Sequence, residues 1–129
     1  MPYEHLGCVL LADGHQRLSE GVRGLLETAF GTVIMVADEA SLLEGARRLQ
    51  PDMAVVDLSL ARHGGLDWLR AMREHSPGIK VIVLSVHDEE SVRQAAIEAG
   101  ADAFVLKRAI ATDLLPSISR LRAAATNES

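Results

Sequence analysis

Five short apolar runs punctuate the chain: Cys8–Ala12 (CVLLA), Thr32–Ala37 (TVIMVA), Met53–Val56 (MAVV), Lys80–Leu84 (KVIVL) and Ala103–Leu106 (AFVL). Each is aliphatic or β-branched almost throughout and none alternates with polar residues. That is the pattern of strands covered on both faces in a parallel sheet. The segments between them carry apolar residues at helical spacing: Leu18, Val22, Leu25 and Leu26; Leu42, Leu43, Ala46 and Leu49; Leu66, Leu69 and Met72; Val92, Ala95, Ala96 and Ala99; and finally Leu114, Leu115, Ile118 and Leu121. Pro51 and Pro77–Gly78 follow the second and third of these helices, and Gly100 closes the fourth. Asp38, Asp88 and Thr112 stand at N-cap positions. With Thr112 as cap, Pro116 falls in the first helical turn, where its missing N–H costs no hydrogen bond.

Strict strand–helix alternation with right-handed crossovers predicts an α/β fold in three layers, a doubly wound five-stranded parallel sheet with helices on both faces. The common flavodoxin-like strand order for such a sheet is 2-1-3-4-5, and ligands bind outside the carboxyl ends of the strands, at the switch point between strands 1 and 3. The chain has 129 residues, 48% of them apolar, enough for one core without cross-links or metal. Residues 1–125 are expected to form the single domain, with the polar tail Thr126–Ser129 as the start of a linker to an output domain outside this chain.

Charge and cysteine usage narrow the function classes. Eighteen Asp plus Glu against thirteen Lys plus Arg leave a net charge of −5, so no basic footprint for direct nucleic-acid binding is expected in this segment. The lone Cys8 cannot form an internal disulfide, and the chain starts without a signal-peptide pattern, which predicts a cytoplasmic location. No apolar run approaches the roughly 20 residues that span a bilayer. The five histidines form no i, i+4 pair, so a transition-metal site is not expected. Trp68 and Met72 share a helical face and read as packing, and Cys8 reads as a small buried hydrophobe.

The chemistry is at the strand ends. Asp13 follows strand 1, Asp57 strand 3, Ser85 strand 4 and Lys107 strand 5, while Asp38 ends strand 2 at the remote edge. Two carboxylates, a hydroxyl and an ammonium thus converge on one rim. Adjacent carboxylates repel unless a cation intervenes, and a hard ion such as Mg²⁺ suits them. With part of the charge neutralised, one carboxylate can attack phosphorus, and Mg²⁺, the lysine and the hydroxyl can stabilise the transferred group.

At these residues the chain resembles the receiver domain of two-component response regulators, similar in fold to the chemotaxis response regulator. The matching segments are VLLADGH (Val9–His15), PDMAVVDLSL (Pro51–Leu60) with Gly65–Leu66, VIVLSVHDEE (Val81–Glu90) and AGADAFVLK (Ala99–Lys107). His15, the SVHD stretch and Lys107 without a following proline resemble the NarL/FixJ branch, whose members usually carry a C-terminal helix-turn-helix domain. The resemblance implies that Asp57 is the phosphoacceptor. It makes Asp13 the first acid of the Mg²⁺ pair, with Asp57 and the backbone carbonyl of Ser59 completing the metal shell. Ser85 and Lys107 would stabilise the phosphoryl group, with Ser85 and Phe104 as switch residues. It further implies a sensor histidine kinase as donor, self-catalysed phosphoryl transfer and autodephosphorylation rather than turnover as an enzyme, and regulation of transcription. A changed face at the fourth helix, fifth strand and fifth helix would follow, with a homodimer expected there or through the first and fifth helices.

The sequence departs from the family at Gly14, where a second acid normally touches the metal; Mg²⁺ binding should therefore be weakened. Ala61 and Gly64 replace the usual proline and acid of the next loop. The rival reading is a pseudo-receiver, an interaction domain whose Mg²⁺-dependent phosphorylation is weakened or lost. A nucleotide-binding enzyme lacks its glycine motifs after strand 1. A haloacid-dehalogenase-like phosphatase would need an acid where His15 stands.

Overall fold

A computed structural model of the chain describes residues 7–13, 16–60 and 65–128. The strands are β1 (Cys8–Ala12), β2 (Thr32–Val36), β3 (Met53–Asp57), β4 (Lys80–Ser85) and β5 (Ala103–Leu106). The helices are α1 (Gln16–Glu27), α2 (Glu39–Leu49), α3 (Asp67–His75), α4 (Glu90–Glu98) and α5 (Ile110–Glu128). Single 3-10 turns follow β3 (Leu58–Leu60) and β5 (Lys107–Ala109). The sheet is parallel throughout, in the order β2-β1-β3-β4-β5 expected from the alternation of runs.

The apolar runs lack alternation because both faces of the sheet are buried, and successive residues feed different cores. Leu10, Ala12, Ala54, Val56, Val81 and Val83 pack on α2, α3 and α4 through Leu42, Ala46, Trp68, Leu69, Met72 and Ala96. Val9, Leu11, Met53, Val55, Ile82, Leu84 and Val105 pack on α1 and α5 through Val22, Leu26, Leu114 and Ile118. Trp68 and Met72 are core residues, as their spacing suggested. Cys8 is only half-buried at the sheet margin, and burial together with the neighbouring Asp52 pushes its thiol upward.

Local chemistry explains most boundaries. Asp38 caps α2 by accepting the Ser41 N–H at 2.7 Å. Gly100, at φ +118°, reverses the chain after α4, its N–H bonding Ile97 O and the Ala101 N–H bonding Ala96 O, both at 3.0 Å. Two other cap assignments are corrected. Residue 89, not Asp88, occupies the N-cap of α4, with no side-chain cap bond; Asp88 accepts instead from Arg108. Thr112 lies inside α5, because the 3-10 turn at Lys107 runs straight into the helix at Ile110. Pro116 is therefore an interior proline. The carbonyl it leaves without a helical donor belongs to the exposed Thr112, where water can take the donor's place. The strands differ from the apolar runs in a telling way: β2 ends one residue earlier, and β3 and β4 each include the polar residue that follows the run.

Arg73 of α3 braces the far end of the sheet. Its guanidinium donates to Gly100 O and Ile79 O and pairs with Asp102, whose carboxylate also accepts the Val81 N–H at 2.8 Å.

Candidate functional site

The register of the sheet assembles the site. Ala12 is level with Val56, Asp57 with Leu84, and Ser85 with Leu106, so Asp13, Asp57, Ser85 and Lys107 leave four neighbouring strands at one rim. Asp13 is 7% exposed, Asp57 1% and Ser85 2%. Burying two carboxylates side by side requires compensation. Lys107, opening the turn after β5, supplies it: its Nζ donates to Asp57 Oδ2, and its own side chain is only 11% exposed. The Ser59 N–H donates to Asp57 Oδ1 at 3.0 Å, and the Asp13 side chain neighbours Asp57. Burial pushes the Asp57 carboxyl up, but Lys107 and the Ser59 N–H outweigh it and hold the group below the ordinary carboxylate value. Asp57 is therefore an anion at neutral pH, as a nucleophile must be.

A cavity of ≈ 620 Å³ opens beside Asp57, between the end of β3, the β4–α4 loop and α4. Leu58, Leu66, Val92 and Ala95 give it an apolar wall, and Ser59, Ser85, His87, Ser91 and Lys107 a polar margin. A buried anion that opens onto a cavity, with a cation at contact, can meet an electrophile that enters there.

Asp57 and Lys107 touch, and Asp13 stands beside Asp57 at the same rim. Ser85 is adjacent by register, and its hydroxyl is engaged by the following loop: Oγ accepts the His87 N–H at 2.9 Å and donates to His87 O at 3.3 Å. Phe104 is partly buried against the α2–α3–α4 core. Ser59 meets Asp57 through its N–H. Gly14, Ala61 and Gly64 lie outside the described residues, as do His5, His15 and His63.

The donor set is that of a hard cation: two carboxylates, Asp13 and Asp57, beside the Ser59 peptide. Among the described residues no group of three His, Cys, Asp or Glu is placed to hold a metal. No helix among them is long and apolar enough to cross a membrane. Sequence reasoning missed the hold of His87 on Ser85 and the Arg108–Asp88 pair. Both arise from loop packing and leave no spacing signal.

The family model of the response regulator receiver domain matches residues 9–119. The chain is 37% identical over 112 residues to the nitrate/nitrite response regulator protein NarP of Escherichia coli (strain K12), a match covering 85% of this chain and 52% of NarP. It therefore spans about half the length of that relative. A LuxR-family two-component response regulator from Aurantimonas sp. SI85-9A1 superposes with a TM-score of 0.84 at 27% identity, covering 92% of this chain and 86% of that one. A CheY-like receiver domain protein from Methanospirillum hungatei JF-1 shares the fold, with a TM-score of 0.85 at 22% identity over 96% of this chain and 99% of that one.

Proposed function

The chain belongs to the response regulator receiver domain family, and from that premise we propose that it is a phosphoacceptor switch of a two-component system. The donor is the phosphohistidine of a sensor histidine kinase, and the acceptor is Asp57. The observation that carries this reading is the state of Asp57: buried, held anionic by Lys107 and the Ser59 N–H, and open to a cavity.

A carboxylate oxygen of Asp57 attacks phosphorus, forming the P–O bond of an acyl phosphate while the P–N bond to the donor imidazole breaks. The electron pair of that bond stays on the imidazole nitrogen. Asp13, Asp57 and the Ser59 backbone carbonyl would hold Mg²⁺, which supplies positive charge for the phosphoryl oxygens. Lys107 follows the negative charge from the carboxylate to a phosphoryl oxygen. The Ser85 hydroxyl turns from His87 and donates to another. Phe104, two residues after Asp102 on β5, follows that turn, and the face made by α4, β5 and α5 changes its partner or dimer contacts. Two relatives of this chain are named as transcriptional regulatory proteins, and control of transcription by the rest of the protein is the output we assign.

Incubation with a small acyl phosphate and Mg²⁺, followed by intact-mass measurement, should show one acid-labile phosphoryl group on the wild type and none on Asp57→Asn. No adduct even at high Mg²⁺ would overturn the switch. The absence of an acid at Gly14 would then mark the chain as a pseudo-receiver that works by binding alone.

A further inference from the structure

Arg108 and Asp88 take no part in the chemistry above, yet they join the two sides of the site. Ser85 closes β4 with its hydroxyl held by the backbone of His87. Asp88 comes next, and its Oδ2 accepts from Arg108 Nη2 at 3.0 Å. Arg108 directly follows Lys107 in the same 3-10 turn. One ion pair thus ties the backbone carrying the ammonium to the loop whose backbone holds the Ser85 hydroxyl. The loop has few other anchors. Val86 is 69% exposed, the N-cap of α4 makes no side-chain bond, and the exposed His87 and Glu89 side chains stand 3.6 Å apart.

We infer that Arg108 is a positioning residue: its pair with Asp88 is a clasp that keeps the 86–89 loop, and with it the Ser85 hydroxyl, in the resting position, and the clasp opens when Asp57 is phosphorylated. The inference rests on the phosphoacceptor reading. Ser85 has a single hydroxyl proton, so donating to a phosphoryl oxygen ends its donation to His87 O. Turning Oγ also leaves the His87 N–H without its acceptor unless the loop moves. At the same time the phosphoryl group draws Lys107 off Asp57 and carries the Arg108 backbone with it. Both ends of the ion pair are displaced by the same event. Because the pair is exposed, it is weak and salt-sensitive. It biases the resting state without locking it.

The test is a double-mutant cycle on the full chain with Arg108→Gln, Asp88→Asn and the double variant. The readouts are the rate of adduct formation from acetyl phosphate with Mg²⁺ and the His87 amide resonance of the unphosphorylated protein. Removing a positive and a negative charge alters attraction of the anionic donor in opposite directions, and those effects multiply through the cycle. Clasp release is counted once. The double variant should therefore fall short of the product of the two single effects by about two- to fivefold, and raised salt should erase the shortfall. The His87 amide should shift in the same direction in all three variants, no further in the double. A double variant equal to the product of the singles overturns the clasp. If the wild type forms no adduct, the phosphoacceptor reading fails by itself and the amide decides: a common shift supports the clasp, an unmoved resonance removes it.

Discussion

Replacing Lys107 with Met keeps most of the aliphatic stem and removes the charge, which isolates what the ammonium does for Asp57. The pair is well buried, at 11% and 2% side-chain exposure. Removing one member of a fully buried pair costs about 3–5 kcal/mol. Here Asp57 keeps the Ser59 N–H at 3.0 Å and faces a cavity of ≈ 620 Å³ that admits water. The variant can also relieve itself by taking up a proton, at about 1.4 kcal/mol per pH unit of displacement. The expected loss at neutral pH is therefore about 1–3 kcal/mol. Its pH dependence is the sharper signature. In the wild type the Asp57 pKa is lowered, so its stabilisation is complete above the ordinary carboxylate pKa of about 4 and fades as pH falls through the lowered folded value. In the variant, burial acts without the cation and raises the pKa, so the penalty is full at neutral pH and vanishes as pH falls through the raised value toward about 4. Urea unfolding in chelator, followed by the fluorescence of buried Trp68, should show a gap between the two proteins that is widest near neutrality and closes on acidification. A gap of equal size at every pH would refute the electrostatic account and leave stem packing as the cause.

Two further outcomes test the frame around the site. Gly24 lies within α1 with no atom inside 4 Å of an added Cβ, so Gly24→Ala should raise stability by about 0.5–1 kcal/mol; a lowered melting temperature would contradict a helix interior there. Gly100 has φ +118°, and an added Cβ would stand 3.2 Å from Arg73 Nε, the same atom that donates to Gly100 O. Gly100→Ala should cost about 1–3 kcal/mol in chemical denaturation, and an unchanged midpoint would show that the turn relaxes freely.

Much of this architecture can be read from residues alone because the rules involved are local and repeated. Five uninterrupted apolar runs separated by helical spacing permit few arrangements other than a covered parallel sheet. Once the order is 2-1-3-4-5, the residue after each run must reach one rim. That is how Asp13, Asp57, Ser85 and Lys107 could be grouped without a structure. The readings that failed are those where a distant group competes with a local rule. Asp88 is an ordinary N-cap residue by type, but Arg108, 20 positions on, takes its carboxylate. Thr112 lost its cap role because the chain coils directly after β5, at Lys107, and runs on into the helix. The direction of the Ser85 hydroxyl depends on the backbone of a loop and has no sequence signature.

The sheet order has one more consequence. Asp13 follows β1 and Asp57 ends β3, each strand laddered on both sides, whereas Lys107 follows β5, an edge strand of four residues paired with β4 alone. A strand paired on one side has fewer ladder hydrogen bonds to lose on local opening than one paired on both. The acceptor thus sits at the end of the doubly paired interior, and the lysine that reads its charge sits beyond a singly paired margin. A change of charge at Asp57 can be felt at the border of the sheet while its centre stays still.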